Sequence, residues 1–268
     1  MVVVDTHCHA SPYWFEPVEV LLDQMIRNRV DKAALIQVRA VFDNSYLFEC
    51  MRRFPGRFSV VVIVDTSRLD APERLQELVN QGAEGVRLGP LDRSPGNDPL
   101  AIWRKAAELG VPVSSLGTVE GFASPEFESV VREFPTLNVI IEHLGGVGAY
   151  FGPGRQDKTV PYDTYNKVLA LARHPNTFMK VPGLGEFCPR PVPFVQPMPF
   201  PEIPPLIEMA IDAFGADRLM WGSDFPASAA REGYGNTLRF PREYVKFKSE
   251  EDKEWVFGKT AATLWRFP

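Results

Sequence analysis

The sequence predicts an α/β fold, a (β/α)8 barrel, on three observations. Short apolar runs alternate with longer amphipathic stretches, the pattern of repeated βα units around a parallel sheet. Eight such runs fit into 268 residues, the usual size for an eight-stranded barrel. Three of them, far apart in the chain, end in histidine or aspartate, and in a parallel barrel all C-terminal strand ends open onto one face, where catalytic groups collect. A doubly wound sheet is the competing topology.

The elements follow in order. Val2 to Thr6 reads as the first strand, and Glu16 to Asn28 as a helix with Val20, Leu21, Met25 and Ile26 on its apolar side. Lys32 to Val38 is the second strand, Ser45 to Phe54 its helix, Phe58 to Val64 the third strand and Ala71 to Gln81 the next helix. Gly82 and Gly85 flank the turn into the fourth strand, Gly85 to Leu88, and the helix Leu100 to Leu109 closes on Gly110, a residue suited to the left-handed helix end. Val111 to Leu116 is the fifth strand, followed by the helix Pro125 to Phe134. The sixth strand ends in His143, with Tyr162 to Arg173 as its helix. Thr177 to Val181, Pro204 to Phe214 and Arg218 to Gly222 complete the set as strand, helix and strand.

Composition points to one soluble domain spanning residues 1–268. The hydrophobic fraction of 45% lies in the globular range. A net charge of -5 gives no basic footprint for nucleic acid or an anionic membrane. Apolar runs stop short of a membrane span, and the opening residues lack a signal-peptide pattern. Cys8, Cys50 and Cys188 show no metal-type spacing and would leave an odd thiol if any two paired, so a reducing, cytoplasmic setting is expected. The expected partner is a small-molecule substrate, and the chain leaves room for a homo-oligomer.

The chemistry-bearing residues sit at strand ends. In Asp5-Thr6-His7-Cys8-His9 the two histidines, half of the four in the chain, would share one face of a strand, their Cα atoms roughly 6 to 7 Å apart. They could share a metal ion or a substrate, or be solvated strand-end groups; Cys8 between them would face the helix layer as a small core residue. Ile141-Glu142-His143-Leu144-Gly145-Gly146 ends a second strand, and Trp221-Gly222-Ser223-Asp224-Phe225-Pro226 a third. Arg87, ending the fourth strand, would bind a substrate carboxylate or pair with an acid such as Glu142. Lys180 in the seventh strand is similarly placed to bind substrate, with Glu142, Glu186 or Asp224 as the alternative partners. His174 reads as a charge at a helix C-terminus. The glycine-rich stretch 145–160 and the proline-rich stretch 183–205 read as loops over the barrel mouth, serving as connections, an apolar lid or an oligomer contact. Trp14 and Phe15 are candidates for an apolar wall beside the site.

Together with the strand Phe178-Met179-Lys180-Val181, these segments resemble the amidohydrolase-related branch of the amidohydrolase superfamily, from residue 3 to about residue 265. The resemblance implies a (β/α)8 barrel, hydrolysis or decarboxylation of small acids and lactones, and often one divalent metal. By position, His7 and His9 correspond to the first-strand metal ligands, His143 to the sixth-strand histidine and Asp224 to the eighth-strand aspartate. One ligand is missing: where many members carry a histidine at the end of the fifth strand, this chain has Leu116. That departure is similar to the lactonase subgroup, which includes 2-pyrone-4,6-dicarboxylate and sugar lactonases.

The resulting expectation is hydrolysis of a small cyclic ester or related acid, with Asp224 as base toward water and His7, His9 and His143 as donors to the developing oxyanion. His143 could instead protonate the leaving oxygen. A metal held by His7, His9 and Asp224, zinc or manganese, would be weakly bound or absent, and no organic cofactor is expected. A metal-dependent decarboxylase or C–C hydrolase, and a non-catalytic small-molecule-binding barrel, are the alternatives.

Overall fold

A computed structural model describes residues 1–147, 159–188, 200, 202–227 and 229–268. Eight strands lie side by side in chain order: β1 Val4–Cys8, β2 Lys32–Ile36, β3 Phe58–Val62, β4 Gly85–Leu88, β5 Val113–Ser115, β6 Val139–Ile141, β7 Thr177–Val181 and β8 Leu219–Trp221. Every neighbouring pair is parallel, with helices between successive strands. Their alternation follows from the chain: helices such as Val18–Arg27 and Ala101–Leu109 each bury one stripe, Val18, Leu21 and Met25 in the first and Ile102, Trp103 and Ala106 in the second. Gly110 takes the left-handed conformation at φ 64° that ends the second of these helices.

The sheet closes from β8 to β1 just beyond the regular strands. Asp224 N–H donates to the His7 carbonyl at 2.7 Å, and His9 N–H to the Phe225 carbonyl at 2.8 Å. Gly222 is required here, because a Cβ at this position would lie 2.5 Å from the His7 Cβ. This is the barrel predicted from the sequence, and the doubly wound alternative is excluded by the strand order.

Two apolar layers hold it. The larger joins the outer face of the sheet to the helices and includes Cys8, Leu35, Val60 and Trp103. The smaller fills the barrel interior with Val4, Ala34, Ile36, Val61, Ile140 and Met220, closed by Trp265 and Phe267 from the last residues of the chain. All three cysteines are buried and free, and burial pushes the Cys8 thiol well above its ordinary value. Cys8 thus occupies the core position expected of it.

The stretch 227–257, for which periodicity predicts no element, contains the helices Tyr234–Tyr244 and Glu250–Glu254. The chain ends in a further short helix, Thr260–Leu264, preceded by a wider turn at Trp255–Lys259. Most of the two predicted mouth loops, 148–158 and 189–199, lies outside the described residues. Their described ends make a left-handed turn at His143–Gly146 and a short helical turn at Leu184–Phe187. Among the described residues, no helix is long and apolar enough to cross a membrane.

Candidate active site

β1 does not deliver its histidines by simple alternation. Val4 points into the barrel core, so strict period-two geometry would send Thr6 and Cys8 inward and His7 outward. Instead, three steps along β1 from Asp5 to Cys8 match two steps on β2 from Ala33 to Leu35. The extra residue reverses the parity, a common device where a strand must re-aim a side chain. His7 and His9 then reach the interior together, their rings 5.1 Å apart and edge to face.

Asp5 fixes the turn opposite. Its buried carboxylate accepts from Ser223 N–H at 2.9 Å, Ser223 Oγ–H at 2.6 Å, Tyr234 O–H at 3.0 Å and His7 N–H at 3.1 Å. Burial raises its pKa to about 6, against the opposing effect of those bonds. The cluster ties β1 to the residue preceding Asp224. Asp224 itself, at φ 49°, places Oδ1 3.2 Å from His9 Nε2 and 3.6 Å from His7 Nε2.

The sixth-strand end contributes His143, also in the left-handed region at φ 53°. Its ring lies 4.6 Å from that of His7, and its Nδ1–H faces both oxygens of Glu186 at 3.0 and 3.1 Å. Burial works against the charged imidazole, but Glu186, Asp224 and Glu142 outweigh it and raise the pKa to about 9. At neutral pH the group is a cationic donor.

Beneath the histidines lies a buried ionic network. Glu142 Oε2 accepts from Arg87 at 2.8 and 3.2 Å, and Glu142 Oε1 accepts from Ser114 Oγ–H at 2.6 Å. Lys180 donates to Ser114 Oγ at 2.8 Å and lies 3.0 Å from His7 Nδ1. Burial alone would raise the Glu142 carboxyl, but Arg87, Lys180 and His143 hold it well below the carboxylate range. Burial lowers Lys180 to about 8, although Glu142 supports its charge. His7 is driven well below its ordinary value by burial and by Lys180, then by the neighbouring His143, Arg87 and His9.

The sequence-predicted residues therefore meet. His7, His9, His143 and Asp224 share one constellation, and Arg87 and Lys180 support it from below. Of the two partners weighed for Arg87, the structure shows Glu142, with the Gln37 carbonyl at 3.0 Å as a further acceptor. A guanidinium in a buried strand needs such a fixed acceptor. Of the three acids weighed for Lys180, Glu142 is near, at 3.6 Å, but the shorter contacts are Ser114 and His7. His174 lies away from this group, paired with Glu128 at 2.9 Å. Phe15 stacks on His9 with centroids 5.4 Å apart, while Trp14 borders a cavity of about 570 Å³ between Ala10–Trp14 and the Gln37–Val38 end of β2.

Sequence reasoning missed three supports. Glu186 as the partner of His143 had a signal, a carboxylate just after a strand end. Asp5 had another, an acid inside an apolar run. Ser114 had none, since a serine within a strand is unremarkable.

Among the described residues, three groupings could hold a metal ion, with ligand atoms within 4.8 Å of one another: His7, His9 and Asp224; His7, Glu142 and His143; and His143, Glu186 and Asp224. The first matches the expected ligand set, and it supplies the three protein donors usual for a catalytic zinc. His9 is arranged as a ligand would be, because its Nδ1–H donates to the Ile36 carbonyl at 2.7 Å, leaving Nε2 directed at Asp224. The buried His7 Nε2 has no hydrogen-bond partner among the described residues. The donors thus fit an ion in position, although the lysine behind His7 works against it. The fifth strand ends in Ser115 followed by Leu116, so no imidazole comes from there.

Known proteins resemble this chain over most of its length. The chain is 26% identical over 254 residues to an L-fucono-1,5-lactonase from Burkholderia ambifaria, covering 90% of this chain and 82% of that protein. A zinc-bound amidohydrolase from Burkholderia multivorans superposes over the full length of both chains with a TM-score of 0.77 at 19% identity. A Pseudomonas putida structure described as a 2-pyrone-4,6-dicarboxylic acid hydrolase superposes with a TM-score of 0.72 at 22% identity, over 98% of this chain and 97% of that one. At these identities the two structures speak for the fold. The amidohydrolase family model matches residues 4–267, nearly the whole chain, and the protein belongs to that family.

Proposed function

We propose that the protein hydrolyses a small cyclic ester by attack of water on the lactone carbonyl. The observation that carries this reading is the meeting of an acceptor and a cationic donor at one strand-end face: Asp224 beside His7 and His9, and His143 held by Glu186. The likeness to a lactonase over most of the chain supports the substrate class.

Asp224, as carboxylate, takes a proton from water while the water oxygen bonds to the carbonyl carbon. His7, through Nε2–H, and His143 donate to the oxygen that gains charge in the tetrahedral intermediate. Collapse breaks the ring C–O bond, and His143 supplies the proton that the leaving oxygen needs. His9, fixed by the Ile36 carbonyl and stacked on Phe15, orients Asp224. Arg87 and Lys180 act on the substrate through Glu142 and His7. A divalent ion on His7, His9 and Asp224 would add Lewis-acid polarisation of the carbonyl, and the route through Asp224 and His143 does not need it.

The test is turnover of a panel of aldonic and aromatic lactones before and after chelation, with metal content measured by elemental analysis. Metal-free hydrolysis is expected, with Asp224→Asn lowering kcat about 10²- to 10⁴-fold, the range for loss of a general base. Stoichiometric tightly held metal with activity lost on chelation, or an Asp224→Asn enzyme of undiminished kcat, would sink the reading.

A further inference from the structure

The two histidines of the first strand have opposite hydrogen-bonding behind them. His9 shows its Nδ1 to a carbonyl oxygen, which can only accept, so Nδ1 carries a proton and Nε2 is the nitrogen that faces Asp224, at 3.2 Å. His7 shows its Nδ1 to the Lys180 ammonium, which can only donate, at 3.0 Å. Glu142 Oε1, the other group facing this nitrogen, lies 3.6 Å away, beyond hydrogen-bond distance, so His7 Nδ1 accepts from Lys180 and in the neutral ring the proton sits on Nε2. Lys180 is poorly placed to turn away: Ser114 Oγ accepts from it at 2.8 Å, Glu142 Oε1 lies 3.6 Å off, and the Trp265 ring lies 6.0 Å from Nζ.

An imidazole that ligates a metal normally donates its other N–H to a carboxylate, carbonyl or water. His9 has that arrangement and His7 has the reverse. For His7 to bind a metal through Nε2, its proton would have to move to Nδ1, placing N–H against an ammonium N–H in a buried site.

We propose that Lys180 is a positioning residue that fixes His7 as an Nε2–H donor and sets the site against tight metal binding. The tautomer and metal arms stand on the geometry alone; the use of that donor on the reacting oxygen rests on the lactonase reading. In this arrangement a buried lysine supplies, through His7, the positive pole that a bound ion would otherwise bring to the carbonyl oxygen.

Two measurements on the full chain test this. With only four histidines, the ring nitrogens can be assigned in a long-range ¹H–¹⁵N correlation spectrum, using His7→Gln to identify the His7 signals. The expected wild-type pattern, without metal, is a protonated Nε2 and an unprotonated Nδ1 for His7. A His7 with the proton on Nδ1 overturns the proposal. Second, zinc affinity is measured by competition with a chromophoric chelator for wild type, Lys180→Met and Lys180→Gln, each checked for folding by circular dichroism. Removing the ammonium is expected to tighten zinc binding about 10- to 100-fold, the range over which outer partners of a ligand histidine act. His9→Gln in the same background should abolish the gain. Unchanged or weaker binding in a folded Lys180 variant overturns the proposal; if neither variant folds, the wild-type tautomer decides. Neither readout uses turnover, so failure of the lactonase reading would show separately, in the lactone panel.

Discussion

His143 and Asp224, the proposed acid and base, are both non-glycine residues in the left-handed region, where a side chain costs energy unless its surroundings enforce the conformation. The enforcement is visible for each. Asp224 is pinned by its N–H to the His7 carbonyl and by the Asp5–Ser223 cluster just before it, and His143 by the two oxygens of Glu186. Glu186 is in turn backed by Arg231, which donates to its carbonyl at 2.9 Å. The next residue, Glu232, packs against Gly183 and Gly185, the glycine approach that lets the turn Leu184–Phe187 sit close. Its Oε1 accepts from Gly185 N–H at 2.8 Å, whereas the buried Oε2 has no partner among the described residues. Burial raises the Glu232 pKa to about 7 from 4.5. The folded state thus favours the protonated acid; this contribution is full below about pH 4.5 and is lost as pH rises through about 7. Glu232→Gln keeps the Oε1 acceptor and removes the charge. The variant should match wild type at pH 4 and melt a few degrees higher at pH 8, a shift to be read from thermal denaturation at both values. Equal melting points at pH 8 would mean that the carboxylate is solvated when charged.

Gly222 shows how two strands set the site between them. β8 approaches β1 so closely at this point that a Cβ would meet the His7 Cβ at 2.5 Å and the His7 backbone nitrogen at 3.0 Å. Gly222→Ala must therefore displace His7 or open the β8–β1 seam, and overpacking of this kind destabilises by about 1–3 kcal/mol. We expect that loss in a urea titration, together with a fall in kcat larger than the stability loss explains, because His7 moves. An alanine variant of wild-type stability and rate would show that the seam is looser than the packing indicates. The strands themselves were legible, since each is a short apolar run bounded by glycine, proline or charge, and the ends agree within about two residues. His7, His9, His143 and Asp224 were legible because a parallel barrel gathers strand ends. What periodicity could not show was the register slip between Asp5 and Cys8: it depends on pairing with β2, and no residue in Asp5-Thr6-His7-Cys8 advertises it. The helix Tyr234–Tyr244 was hidden for another reason. Pro241 lies inside it and Gly233 and Gly235 lie at its start, so tertiary burial of Tyr234, Leu238 and Phe240 overrides poor local propensity.

A barrel of eight parallel strands must be filled, and this one is filled in two chemically different storeys. The upper is the Arg87–Glu142–Ser114–Lys180 network carrying the histidines; the lower is apolar, capped by Trp265 and Phe267. The last residues of the chain are locked in place by Glu84, which accepts from Arg266 N–H and Phe267 N–H, each at 3.1 Å, and from Arg266 Nε at 2.7 Å. Residues distant in sequence therefore bear on the site from below, because Lys180 sits above the Trp265 ring. Trp265→Ala should destabilise the fold by about 3–5 kcal/mol, the usual result of removing a buried aromatic side chain. If the lower storey supports the upper, the folded fraction of this variant should also lose the fixed Lys180–His7 contact, and the His7 ring signals should broaden or shift while those of His174, paired with Glu128 on the outside, stay in place. A drop in stability with His7 unmoved would confine Trp265 to the core. A loss below about 1 kcal/mol would mean that water or neighbouring side chains refill the floor, and that the apolar storey is not what keeps the ionic one dry.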